Sequence, residues 1–252
     1  MCVVGNNIWA AYKNCIVVVD GESLQIVKVF AAHPRRDSQV RAVQWIGAGV
    51  WISIRLDSTL RLYHAHTYEH LQDVDIEPYV TKMLGTSRLD FSYMRTTALL
   101  VSNRRLWIGT GTGVVISVPL SDSLEQKVET SDTKKTSGGP GGLVRVYSSS
   151  NKDVKDVAFI PYCNLTQAQL SFHGHKDSVK FFLAVPGAPR VVDDDQEAEL
   201  RKMLVLSGGD GYIDFRIGEE NEPPVTPKGV RARDMSHLII WEVDAELPVV
   251  SS

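Results

Sequence analysis

The chain has 252 residues, with 27 Lys and Arg against 30 Asp and Glu and a net charge of −3. That balance excludes the long-range attraction to nucleic acid or an anionic membrane that a basic stripe would give. Three widely spaced cysteines, Cys2, Cys15 and Cys163, exclude a readable disulfide framework or zinc knuckle and fit reduced thiols in a cytoplasmic setting.

Hydrophobic residues make up 43% and charged residues 23%, as in an ordinary folded protein. No run approaches the roughly 18 apolar residues of a membrane span. The amino terminus lacks a signal-peptide plan.

In chain order, four short apolar strands recur. They are Asn7–Tyr12, Gly49–Ile54, Arg105–Thr110 and Met203–Gly208, and the first three hold Trp9, Trp51 and Trp107 at the same place. Each runs into a tight polar turn: Lys13-Asn14, Asp57-Ser58, Gly111-Thr112-Gly113 and Asp210-Gly211. A second strand follows each turn: Cys15–Val19, Thr59–Tyr63, Val114–Val118 and Tyr212–Arg216. Turn residues between β-branched runs are a hairpin signature. Runs such as Ile16-Val17-Val18-Val19 do not alternate, so their strands are expected to be covered on both faces. Stacked propeller blades meet that condition. Trp9 and Trp51 stand 42 positions apart, inside the roughly 40–45 residues of a WD40 repeat.

The expected fold is therefore all-β, a WD40-type β-propeller with about four blades visible. Blades are expected near 1–30, 40–76, 91–147 and 175–243. The first is expected to be incomplete, lacking an inner strand. The third is given Leu143–Tyr147 as its outer strand, and the fourth Tyr212–Arg216 as its third and Leu238–Val243 as its outer strand. Loop insertions are expected at 121–142, 188–202 and 219–235, with a short helix at Gln196–Leu204 and a disordered tail at 244–252. The truncated first blade suggests a carboxy-terminal fragment of a larger ring.

The histidines are the first candidates for chemistry. Gly174-His175 before a strand is a WD40 mark, and His33 holds the equivalent place. The expected structural pairs are His33 with Asp57 and His175 with Asp210, with Ser53 and Ser207 nearby. Such a buried bond with one charged partner is worth about 1.5–3 kcal/mol. His64 and His66 share a strand face and His70 lies across the next turn, but nothing is placed to finish a zinc tetrahedron. No metal and no cofactor is expected.

Gly109-Thr110-Gly111-Thr112-Gly113 misses the dinucleotide fingerprint by one position and leads into a strand, so it reads as a turn. Asp73, Asp75 and Glu77 read as charges guarding an exposed edge. There is no nucleophile elbow and no catalytic set. Thr226, within Pro224-Val225-Thr226-Pro227, is a candidate phosphosite in a loop that could also dock on a proline-recognising domain.

Longer strings resemble a known family. Ala32-His33-Pro34-Arg35-Arg36-Asp37-Ser38-Gln39-Val40-Arg41, Val50–Thr67 and His70–Gly85 are similar to the carboxy-terminal WD40 domain of the C-Jun-amino-terminal kinase-interacting proteins, in the large coiled-coil branch also called Sunday driver. So are Ile160-Pro161-Tyr162-Cys163, Phe172-His173-Gly174-His175 and Gly211–Gly218. The resemblance implies a non-catalytic interaction domain of a scaffold that organises the JNK MAP-kinase cascade and links vesicle cargo to kinesin-1 and dynein–dynactin. Its partners would be proteins, with no nucleic acid and no direct membrane insertion. A Rho guanine-nucleotide exchange factor with a related propeller is the alternative, and an enzyme with a central-channel site a more distant one.

Overall fold

The computed structural model describes residues 1–84, 95–122, 136–139, 142–147, 159–189, 201–216 and 235–244. The first sheet pairs β1 (Cys2–Val4), β2 (Asn7–Tyr12), β3 (Cys15–Asp20) and β4 (Ile26–Ala31) in that order. The expected missing inner strand is thus present as Cys2–Val4, antiparallel to β2 with Cys2 opposite Trp9. It is three residues long, too short to show a period. Tyr12 pairs with Cys15, so Lys13 and Asn14 form the two-residue turn, with Lys13 at φ +51°. A left-handed residue lets a two-residue loop follow the twist of its strands.

The second sheet begins with β5 (Val40–Ile46), β6 (Gly49–Ile54), β7 (Thr59–His64) and β8 (His70–Asp75), followed by a helix, α1 (Glu77–Leu84). The Asp75 carboxylate accepts the Glu77 N–H at 3.1 Å and so satisfies one open donor of the helix start. The third sheet begins with β9 (Thr96–Ser102), β10 (Arg105–Thr110) and β11 (Val115–Ser121).

The chain then departs from the expected order. A hairpin of β12 (Thr136–Gly139) and β13 (Gly142–Val146) returns to the second sheet, where β13 pairs with β8 and Val144 lies opposite Val74. Leu143–Tyr147 is therefore not the third sheet's outer strand. That place is filled by β14 (Tyr162–Cys163) and, past a 3-10 turn at Leu165–Gln167, β15 (Gln169–Leu170), both paired with β11. It also follows that Asp73, Asp75 and Glu77 do not guard an open edge, because β13 covers β8.

After β16 (His173–Gly174), the fourth sheet pairs β17 (Val179–Pro189), β18 (Arg201–Asp210) and, following β19 (Ile213–Asp214), β20 (Ser236–Asp244). Its third strand is β20, not Tyr212–Arg216; Ile213 and Asp214 pair instead with β16. Residues 201–204 belong to β18, so the expected helix is a strand over its described end.

The sheets pack face to face through three apolar layers. Trp9, Ile16 and Val18 meet Val50, Ile52 and Ile54 between the first two. Trp51, Leu60 and Leu62 meet Leu106, Ile108 and Ile116 between the second and third. Trp107 and Val115 meet Val179, Val205 and Trp241 between the third and fourth. Every residue of β6 is buried, as its non-alternating sequence requires. Fully burying one such Leu, Ile or Val contributes about 1.5–3 kcal/mol. This is the blade stacking of a WD40-type propeller.

Candidate interaction surface

The first polar network lies in the second sheet. His33 Nδ1 accepts the Arg35 N–H at 3.1 Å, which leaves the neutral imidazole proton on Nε2. That nitrogen stands 3.9 Å from Asp57 Oδ2, in contact but beyond hydrogen-bond reach. Asp57 is instead bonded by the Arg61 guanidinium and the Thr59 N–H, each at 3.0 Å. Burial and the neighbouring Arg61 charge lower the pKa of His33.

Further along, His70 Nε2 lies 2.7 Å from Asp73 Oδ1, and the Tyr147 hydroxyl donates to Asp73 Oδ2 at 2.8 Å. The His70 ring is stacked between Tyr63 and Tyr147, at centroid distances of 4.7 and 4.4 Å. Burial pushes the Asp73 carboxyl up, but the bonds from His70 and Tyr147, with Arg61 beside them, outweigh it and hold the pKa below the usual range. Tyr63, whose hydroxyl donates to the Ala32 carbonyl, is pushed up to about 12 by burial.

His64 and His66 do not join His70. The Nδ1 of His64 accepts the backbone N–H groups of His66 and Thr67, at 3.2 and 3.1 Å, and holds a turn. Among the described residues no three His, Cys, Asp or Glu side chains gather as metal ligands would.

The second network lies in the fourth sheet and corrects an expected pair. His175, fully buried, bonds Ser207 Oγ through Nε2 at 2.9 Å rather than Asp210. The same Ser207 Oγ accepts the Trp241 indole N–H at 3.1 Å. Asp210 turns outward, to Ser236 Oγ at 2.9 Å and Lys180 Nζ at 3.5 Å. The reason is solvation: an exposed carboxylate keeps its water, whereas drawing it under the turn to a neutral imidazole would not. Ser53, the counterpart of Ser207 in the second sheet, is fully buried and finds no hydrogen-bond partner among the described residues. The strand carrying Trp241 is the one expected at Leu238–Val243, but it pairs directly with β18 rather than lying outside Tyr212–Arg216.

Gly111-Thr112-Gly113 is the expected turn. Gly113 sits at φ +84°, and a Cβ there would come within 1.6 Å of the His175 carbonyl oxygen. Thr110 Oγ1 closes the turn by accepting the Val114 N–H and donating to the Val114 carbonyl, at 3.0 and 3.1 Å. Thr226 lies outside the described residues.

One cluster faces solvent. Arg216 donates to His173 Nε2 at 3.1 Å; arginine has donors only, so the neutral imidazole bears its proton on Nδ1, directed at Tyr212 Oη 2.5 Å away. Asp214 fixes Arg216 through Oδ1 and Oδ2 at 3.2 and 3.1 Å, and His237 lies beyond Tyr212 at 6.4 Å between centroids. Tyr212 is 40% exposed. Tyr and Arg, both held here by their neighbours, are among the residue types enriched in protein-interaction hot spots.

A family model described as WD40 repeated domain matches residues 1–125. The JNK-interacting protein of Caenorhabditis elegans is 74% identical over 257 residues, covering 100% of this chain and 22% of that protein. Human C-Jun-amino-terminal kinase-interacting protein 4 is 50% identical, covering 96% of the chain and 20% of the relative. Human Rho guanine nucleotide exchange factor 17 is 28% identical over 96% of the chain and 12% of its own length. Among solved structures, Saccharomyces cerevisiae Sqt1 aligns with 95% of the chain and 41% of its own length, at 10% identity and a TM-score of 0.44. The chain spans about a fifth of the JNK-interacting relatives' length. It belongs to the JNK-interacting protein family, as a WD40-repeat β-propeller stretch of it.

Proposed function

We propose that the chain is the non-catalytic protein-interaction domain of a cytoplasmic scaffold, one that gathers components of the JNK MAP-kinase cascade and links vesicle cargo to kinesin-1 and dynein–dynactin. Identity of 74% to a protein named as JNK-interacting, sustained across the whole chain, is the observation that supports this reading most directly. The Tyr212, His173 and Arg216 cluster is the surface we assign to partner contact, since buried aromatic and arginine anchors dominate interface energetics. The net charge of −3 favours protein partners over nucleic acid. Among the described residues no helix is long and apolar enough to cross a membrane. The exchange-factor alternative is weaker, because identity falls to 28% on that side.

The test is direct binding. JNK, kinesin-1 and dynein–dynactin are each titrated against the immobilised chain. Saturable binding of at least one, at about micromolar Kd and weakened tenfold or more by Tyr212→Ala with Arg216→Ala, is expected. Absence of saturable binding to all three overturns the reading.

A further inference from the structure

One end of the stacked sheets is basic. The turns after β2 and β6, the loop leading into β5 and the residues entering β9 meet there through backbone hydrogen bonds. The Val40 N–H donates to the Lys13 carbonyl at 2.8 Å, Arg55 to Gln39 at 2.6 Å and Thr96 to Asp57 at 3.1 Å. These segments carry Arg35, Arg36, Arg41, Arg55 and Arg95. Among the described residues none of the five makes an ion pair with a carboxylate. Asp57 is taken by Arg61 at 3.0 Å, and Asp37, in the loop of Arg35 and Arg36, pairs with none of them.

The backbone sets Arg41 apart. The pairing of β5 with β6 passes from Val40 to Ala42 and leaves Arg41 as a bulge. A bulge re-aims a side chain out of the regular ladder. Thr97 holds the same place in β9, and Arg41 Nε donates to its carbonyl at 3.1 Å. Arg55 Nη1 donates to Gln39 Oε1 at 3.2 Å. Both guanidiniums are thus oriented, yet each keeps most of its N–H donors unused. Next to Arg55, Leu56 stands at φ +62° and is 68% exposed. A bulky side chain rarely takes the left-handed region, and such strain collects at sites that bind. Solvent gives Leu56 nothing in return for it; a partner's apolar side chain would.

Charge decides the occupant. A phosphate monoester carries about −1.5 to −2 charge and three acceptor oxygens, enough for the forks of more than one arginine, whereas one arginine satisfies a carboxylate. Arginine rather than lysine fits that planar, bidentate geometry. The chain as a whole stands at −3. The positive field therefore stays local, which suits a single phosphate on a peptide better than a lipid surface or a nucleic acid backbone.

We propose that this end, centred on Arg41 and Arg55, binds a phosphoserine or phosphothreonine segment of a partner protein, with an apolar residue beside the phosphate seated on Leu56. The proposal rests on the reading of the chain as a protein-interaction domain and adds a second surface, made of other residues than Tyr212, His173 and Arg216.

Peptides degenerate around a fixed phosphoserine are titrated against the 252-residue chain, beside the same peptides with serine or glutamate in that place. The phosphoserine peptides should bind about tenfold more tightly than either. Arg41→Gln with Arg55→Gln should abolish that advantage at an unchanged melting midpoint. Leu56→Gly should weaken binding while the midpoint holds or rises, because glycine takes a positive φ without strain. Equal affinity for the serine or the glutamate peptides overturns the proposal. So does unchanged affinity in the double variant, and so does tighter binding to vesicles of phosphatidylcholine with phosphatidylinositol phosphates than to the peptides. If the phosphopeptides fail while JNK, kinesin-1 or dynein–dynactin still binds, this inference falls and the scaffold reading stands.

Discussion

The Trp241 indole N–H donates to Ser207 Oγ over 3.1 Å, and that oxygen also meets His175 Nε2. One hydroxyl therefore ties the third strand of the last sheet to the loop that enters it. Ser207→Ala leaves both partners without it and should destabilise the fold by about 1–3 kcal/mol. Urea denaturation followed by tryptophan fluorescence reads the change. Asp210→Ala, by contrast, removes an outward-facing carboxylate and should leave the unfolding midpoint near that of the parent chain.

Acid should loosen the protein in the histidine range. Burial lowers the pKa values of His33, His64 and His175 below the ordinary 6.5. Below that pH the unfolded chain binds protons that the folded chain refuses, so stability is full above it and falls as the pH drops toward the folded-state values. Melting curves taken from neutral pH down to about pH 5 should show a falling midpoint, since unperturbed His titrates near 6.5. A midpoint constant across that range contradicts the prediction.

Gln72 joins two sheets. Its fully buried amide donates to the Cys163 carbonyl and accepts the Cys163 N–H, both at 2.9 Å. Gln72→Leu strands two buried backbone groups and should cost about 1–3 kcal/mol or more. Burial also pushes the Cys163 thiol far up. Iodoacetamide should therefore modify Cys163 more slowly than Cys2 or Cys15 in the folded chain, as peptide mass spectrometry would show, and Gln72→Leu should narrow the difference.

Tyr147 pins the returning strand β13 to β8 through its bond to Asp73 and its stack on His70. Tyr147→Phe keeps the ring and removes the bond, so a loss of about 0.5–1.5 kcal/mol is expected. Amide exchange along Gly142–Val146 should accelerate, with β2 and β3 unaffected.

The local parts of this fold were legible and the long-range parts were not. Trp9, Trp51 and Trp107 announced their hairpins because turn and strands are contiguous and the pairing is decided within a dozen residues. The destination of β13 was hidden: Leu143–Tyr147 follows the third hairpin in sequence, but His70 and Asp73, which receive Tyr147, lie more than seventy positions earlier. Likewise Tyr212–Arg216 looked like the partner of β18 because it comes next, while Ser236–Asp244 won the place with a longer register and Trp241. His175 is fully buried against Ser207 Oγ, and the choice of that partner depends on the solvation of Asp210, which no spacing reveals.

Strand β13 has a consequence for how such a protein changes over generations. The chain leaves the third blade unfinished, completes an errand in the second, and only then returns. Neither blade can be duplicated, deleted or exchanged as a cassette, because a cut between them severs a strand that one lends the other. In repeat proteins each module ordinarily contacts only its neighbours; these two share a strand and should be inherited together, and circular permutants opened between β11 and β14 should fail where those opened between β4 and β5 succeed.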